Sequence, residues 1–307
     1  MDLTGKVAVV TGSGRGLGFA YAAKLAALGA QVVVNDVDSD AAKAAVDAIT
    51  GRGGTAVAHV GAVGTADVAQ ALVDQAVSEF GRLDAIVTNA GVLRDKVLWK
   101  MTDDDFDTVV GVHLRGTFTC ARAAAVRFRE QGDGGRIICI GSPTGQRGTF
   151  GQTNYAAAKA GIIGMVRTWS MELARAGVTV NAVIPVAATA MTETVPFLRP
   201  YVDAANNGDP LPAFARRALA FGTPDDAAGI VAFLASDAAA GVTGQAIGVG
   251  GDRLSLWSHP QQVVAGYADG GWSPEAIADA WPTVFEPHQQ SVGEQFPTPP
   301  DDAEGTP

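Results

Sequence analysis

The chain has 307 residues, 47% of them hydrophobic and 18% charged, with 38 glycines; this composition is that of a soluble globular protein and excludes a disordered or collagen-like one. Thirty-two acidic against 22 basic side chains give a net charge of −10, which disfavours a phosphate-backbone surface, so nucleic acid is not an expected partner. Two cysteines, Cys120 and Cys139, are too few for a disulfide framework or a zinc site, no metal is expected, and the absence of an apolar leader or of any run of eighteen apolar residues points to a cytoplasmic protein with no membrane role.

In chain order, short β-branched runs at 7–10, 31–35, 55–59, 85–88, 136–140, 179–184 and 246–249 predict seven strands. They are nearly continuous in apolar character, as strands are when helices cover both faces of a parallel sheet. Ala-rich segments with helical spacing separate them, at 16–28, 40–50, 66–80, 103–130, 154–176 and 225–236. The expected fold class is therefore α/β: a single doubly wound, Rossmann-like parallel sheet, whose ligands sit at the carboxyl ends of the strands. Segment 189–223 breaks the rhythm with four prolines and Asn206-Asn207-Gly208, and reads as a substrate-covering loop with short helices.

All 15 prolines fall at or after Pro143, and 8 of them lie in 252–307. That asymmetry divides the chain into a catalytic domain, 1–251, and a C-terminal extension, 252–307. The extension holds Trp257, Trp272 and Trp281, too much aromatic surface for a free linker, so 252–286 is expected to be partly packed. Ser273-Pro274-Glu275 reads as a cap and first turn of a short helix. From 287 onward the composition is that of a disordered end.

The first strand runs into Thr11-Gly12-Ser13-Gly14-Arg15-Gly16-Leu17-Gly18 and then a helix. Glycines here permit a tight turn and let a pyrophosphate approach bare backbone at the positive end of the helix. About twenty residues on, Val34-Asn35-Asp36 closes the second strand, where a carboxylate would accept bonds from an adenosine ribose and repel a 2′-phosphate. Asp36 thus favours NAD over NADP, although Arg15 could reach a 2′-phosphate.

Tyr155 and Lys159 stand four apart and so on one helical face. A cation beside a phenol lowers its pKa from about 10 toward the range where proton exchange is useful. Ser142 lies thirteen residues upstream, after the fifth strand.

Taken together, Gly12-x-x-x-Gly16-x-Gly18, Asn89-Ala90-Gly91, Ser142, Tyr155-x-x-x-Lys159 and Val180-Asn181-Ala182 before Pro185 resemble the short-chain dehydrogenase/reductase family over residues 1 to about 251. The resemblance implies hydride transfer between a nicotinamide and a carbonyl or secondary alcohol, with Tyr155 as acid/base, Lys159 on the ribose and lowering the tyrosine pKa, and Ser142 on the substrate oxygen. It assigns the cofactor to Gly12, Ser13, Arg15, Gly16, Leu17, Gly18, Asp36, Ala62, Val63, Asn89, Ala90, Gly91, Tyr155, Lys159, Pro185, Ala188 and Thr189.

Asn89 to Asp95, Val112 to Phe118 and Gly148 to Tyr155 look like the (3R)-hydroxyacyl-CoA dehydrogenase and 17β-hydroxysteroid dehydrogenase type 4-like group, which implies a bulky, lipid-like substrate. His113 stands where most of the family has an asparagine, and is either a member of the catalytic set or a buried structural histidine. Gly61-Ala62 replaces the usual adenine-facing aspartate, and Pro185-Val186 the usual Pro-Gly. The alternatives are an NADPH-dependent 3-oxoacyl-carrier-protein or xenobiotic carbonyl reductase and, of another class, a non-catalytic nucleotide-binding scaffold. The family also implies a homo-oligomer, dimer or tetramer, packed through Ala121, Ala123, Ala124, Ala157, Gly161, Gly164 and Trp169 on the helices 103–130 and 154–176.

Overall fold

The structure, a computed structural model, describes residues 1–189, 192–293 and 296–298. The seven expected strands are present as β1 (Val7–Thr11), β2 (Gln31–Asp36), β3 (Thr55–Val60), β4 (Ala85–Thr88), β5 (Gly135–Ile140), β6 (Val178–Pro185) and β7 (Ala246–Gly250). An eighth, β8 (Arg253–Trp257), corrects the count of seven. One sheet runs in the order β3-β2-β1-β4-β5-β6-β7-β8. All pairings are parallel except β7 with β8, which is antiparallel. The sheet thus continues past residue 251. The order reverses between β1 and β4, the switch point at which doubly wound sheets bind their ligands.

The helices are α1 (Gly16–Ala27), α2 (Ser39–Thr50), α3 (Ala66–Phe80), α4 (Asp103–Val110), α5 (Gly116–Gln131), α6 (Thr144–Arg147), α7 (Thr153–Glu172), α8 (Arg199–Asn207), α9 (Ala228–Ala235) and α10 (Pro274–Ala280). Local chemistry starts several of them. Asp38 caps α2, Thr65 caps α3, and Thr102 with Asp105 forms a capping box on α4, satisfying amides that the first turn leaves unpaired. Two apolar layers flank the sheet. Tyr21 and Leu25 of α1 and Val231 of α9 pack on one face; Leu72 of α3, Phe128 of α5 and Ile162 of α7 pack on the other.

The long helix expected over 103–130 is interrupted by one wide π turn, Gly111–Arg115. Such turns are frequent at functional sites, and this one carries His113, which is 2% exposed. Within segment 189–223, the described residues 192–223 build a small core of their own from Leu198, Val202, Ala215, Leu219 and Phe221. The tail packs partly on itself: Phe285 lies 6.0 Å from Trp272 and 5.4 Å from Trp281, ring centre to ring centre. Of the expected disordered end, 294–295 and 299–307 lie outside the described residues.

Candidate active site

One cavity of about 1110 Å³ opens over the carboxyl ends of the strands. At one end the β1–α1 turn forms its floor. Gly16 has φ +58° and open space where a Cβ would stand, whereas a Cβ on Gly18 would meet the Gly12 carbonyl at 2.2 Å and Asn89 Nδ2 at 2.5 Å. Only glycine at 18 allows Asn89 to donate to the Thr11 and Gly12 carbonyls at 3.1 and 2.9 Å, which ties the β4 loop to the turn. A bare backbone surface at a helix N-terminus fits a pyrophosphate.

Asp36 Oδ2 accepts the Gly14 amide at 3.0 Å, and Oδ1 the Asp38 amide at 3.1 Å. A carboxylate has lone pairs left for two ribose hydroxyls. Arg15 is ion-paired with Asp38 at 2.5 Å, and the Ala41 backbone amide, then the Arg15 guanidinium, hold the Asp38 carboxyl below its ordinary range. The rim therefore carries two carboxylates and a cation already engaged. Among the other expected cofactor residues, Gly12, Leu17, Ala62, Val63, Ala90, Gly91, Pro185 and Thr189 line the cavity. Ser13 and Ala188 do not. The Ser13 hydroxyl turns to the Val10 carbonyl at 2.7 Å, and Ala188 is buried in the core of the covering segment.

Midway along the cleft, Ser142, Tyr155, Lys159 and His113 all line the wall. Ser142 Oγ accepts the Thr144 amide at 3.2 Å and lies near enough to the Tyr155 phenol to influence its pKa. Lys159, 3% exposed, donates from Nζ to the Ile140 carbonyl at 2.6 Å and sits 5.5 Å from the centre of the Tyr155 ring. The expectation that Lys159 lowers the tyrosine pKa is not met here. Burial pushes Tyr155 up, the neighbouring Ser142 hydroxyl pulls it down, and the Asp95 charge raises it; burial also brings Lys159 itself down to about 7, which weakens it as a cation.

His113 Nε2 lies 2.8 Å from the Val92 carbonyl and 3.0 Å from its amide, while Nδ1 has no partner among the described residues. Burial, then the Lys159 charge, pushes its pKa down to about 3. Neutral imidazole is the form this site holds.

Several site residues escaped the motif reading. Asn154, fully buried, donates to the Arg94 and Asp105 carbonyls at 3.0 Å each and accepts the Tyr155 amide at 2.8 Å. It fixes the first turn of α7, and with it Tyr155, against the β4 loop and α4. Its place directly before the tyrosine was the available signal. Ala220, with φ +54°, is a non-glycine residue in the left-handed region and also lines the cavity; such backbone costs of the order of 1 kcal/mol and gathers at binding sites. Leu256, Trp257, Phe296 and Pro297 line the far end. The extension therefore covers its own chain's cleft.

A glycine-rich turn at a switch point with a Ser-Tyr-Lys set along one cleft is the arrangement the motifs implied. The profile of the family described as "Enoyl-(Acyl carrier protein) reductase" matches residues 12–251. The chain is a short-chain dehydrogenase/reductase. It is 41% identical over 293 residues to a hydroxyacyl-CoA dehydrogenase of Mycobacterium tuberculosis, covering 90% of this chain and 87% of that one. It is 43% identical over 255 residues to a 3-oxoacyl-[acyl-carrier-protein] reductase of Synechocystis, covering 82% and 98%. A crystal structure of a short chain dehydrogenase from Mycobacterium avium superposes with a TM-score of 0.81 at 35% identity, covering 95% and 98%. The short-chain dehydrogenase/reductase family uses NAD(H) or NADP(H), and the residues at the turn fit such a nucleotide.

Proposed function

We propose that this short-chain dehydrogenase/reductase is an NAD-dependent oxidoreductase that interconverts a secondary alcohol and a ketone on a bulky, lipid-like substrate, a 3-hydroxyacyl-CoA or a hydroxysteroid. The observation that carries this reading is the placement of Ser142, Tyr155 and Lys159 on one wall of a cleft that begins at the glycine-rich turn. The nicotinamide, when bound, supplies or takes the hydride. The substrate oxygen rests between Ser142 and Tyr155. Because Ser142 Oγ already accepts the Thr144 amide, its own proton is available to that oxygen, and Tyr155 gives up or receives the hydroxyl proton.

NAD is favoured over NADP by the Asp36 and Asp38 carboxylates at the adenosine rim and by the Arg15–Asp38 pair, which engages the arginine a 2′-phosphate would need. A coenzyme A ester is favoured by the extent of the Mycobacterium tuberculosis relative: 90% of 307 residues cannot fit within the first 251, so the likeness enters the extension. The carrier-protein reductase reading has its own support in the Synechocystis relative. Absorbance of NADH and NADPH with hydroxyacyl-CoA, hydroxysteroid and 3-oxoacyl-carrier panels decides between them, and no turnover on any panel rejects the reaction class.

The homo-oligomer reading keeps part of the surface the sequence pointed to. Ala121, Ala123 and Ala124 belong to the chain's own core, whereas Ala157 is exposed and Gly161, Gly164 and Trp169 are half-buried, so a partner would meet these α7 residues together with the exposed Phe118, Val126 and Met171 on α5 and α7; light scattering giving a monomer mass rejects it. No described helix is long and apolar enough to cross a membrane, and a cytoplasmic location remains part of the proposal.

A further inference from the structure

The far end of the cleft is built by residues beyond 251: Arg253, Ser255, Leu256 and Trp257 of β8, and Phe296 and Pro297. Phe296 packs on Phe197 of the covering segment, centroids 5.1 Å apart, so the extension and the covering segment meet there. The extension also holds one cation at two points. Arg147, the last residue of α6 and one turn past Ser142, has its guanidinium 5.3 Å from the centre of the Trp257 ring, and its carbonyl accepts the Gly293 amide at 2.8 Å.

Stacking engages the flat face of a guanidinium and leaves its in-plane N–H groups free. Three arginines line the cavity. Arg15, at the adenosine end, is paired with Asp38. Arg147 and Arg253, at the far end, have no carboxylate partner among the described residues, in a chain with ten more acids than bases. Arg253 donates from Nη1 to the Ala218 carbonyl at 2.8 Å, which steadies it beside the opening. Both arginines are exposed, so an anion meeting them stays at the solvent boundary, while Val195 and Leu198 offer apolar wall inside.

We propose that the C-terminal extension completes the substrate end of the cleft as an oxyanion anchor, in which Arg147 stacked on Trp257, with Arg253 beside it, holds the phosphates of a coenzyme A thioester. This rests on the oxidoreductase reading above and names the residues that would recognise its substrate. Charge-assisted, forked N–H bonds are what a phosphate takes from arginine. Trp257, which comes from outside the matched profile, would make the anchor a property of the extension.

The test is calorimetric titration of free coenzyme A into the full chain at saturating NADH, which keeps the adenosine site filled. Wild type is expected to bind, R147A about tenfold more weakly, R147E more weakly still, and R147K between wild type and R147A, because lysine keeps charge but loses the fork. W257L and R253A are each expected to weaken binding in the same direction, by less than R147A. Wild type that binds no coenzyme A at millimolar concentration overturns the anchor, as does R147A binding as tightly as wild type. The reaction class is judged separately with hydroxyacyl thioesters of N-acetylcysteamine, which carry no phosphate. Turnover of these without coenzyme A binding rejects the anchor alone; coenzyme A binding without any turnover rejects the reaction class alone.

Discussion

The imidazole of His113 stands edge-on to the phenol of Tyr155, ring centres 5.0 Å apart and planes at 84°, while its Nε2 meets the main chain of Val92. One side chain from the π turn thus braces both the tyrosine and the loop after β4. Gly91 is what lets it in, since a Cβ there would meet His113 Cε1 at 2.2 Å.

Because burial puts the His113 pKa at about 3 in the folded chain against an ordinary 6.5, it binds a proton in the unfolded state well before it does so in the native one. Stability is therefore full above about pH 6.5 and falls as pH drops toward 3, by about 1.4 kcal/mol per pH unit from this group alone. In H113N that component is missing. Urea unfolding of both proteins between pH 7 and 4 is expected to show wild type losing stability relative to H113N as pH falls; parallel pH dependences would mean that His113 titrates normally.

Tyr155→Phe is expected to keep the fold, because the ring contact with His113 survives, and to lower turnover by about 10²- to 10⁴-fold, the range usual for a lost general acid/base. NADH binding, followed by fluorescence, should change little in this variant. Ser142→Ala should also lower kcat, by less, since it removes orientation and not the proton carrier. Normal turnover in Tyr155→Phe would reject the assignment.

At the adenosine rim, Asp38→Ala releases Arg15 from its ion pair, and Asp36→Ala removes the carboxylate that repels a 2′-phosphate. The double variant is expected to shift the NADPH-to-NADH affinity ratio toward NADPH by about tenfold or more, most strongly at low salt, where exposed charges are least screened. An unchanged ratio would mean that selectivity resides elsewhere, and Gly61 and Ala62 would be the next residues to vary.

The seven parallel strands were legible because buried parallel strands announce themselves as continuous apolar runs, and the glycine-rich turn because its spacing has few other uses. β8 was not recognised as a strand. Its Arg253-Leu254-Ser255-Leu256-Trp257 alternation is a strand signal, but Leu254 and Leu256 are 63% and 70% exposed, so it is not the core alternation that fixes a register. The π turn at 111–115 was invisible for another reason: its residues have ordinary helical spacing, and nothing in their order marks a wide turn. The juxtaposition of Lys159 and Tyr155 was legible in their spacing, but the burial of the ammonium was not. Spacing puts a cation beside a phenol; it does not say that both will be desolvated together.

That shared desolvation leads to the last prediction. Lys159 is buried with the Ile140 carbonyl as its hydrogen-bond acceptor, and its pKa falls from 10.5 to about 7. Between pH 7 and 10.5 the unfolded chain holds the proton that the native chain has lost, so stability rises with pH across that window and the full cost of burying the charge applies below it. Lys159→Met, similar in length and uncharged, removes that cost. It is expected to be more stable than wild type by a few kcal/mol at pH 7 and below, with the gap closing as pH approaches 10, while turnover falls on the order of a hundredfold. A site that sacrifices stability for chemistry behaves this way. Thermal unfolding of both proteins from pH 6 to 10 measures the gap, and a gap that is constant with pH, or a Lys159→Met protein less stable than wild type throughout, would show that Lys159 is held as a well-compensated cation.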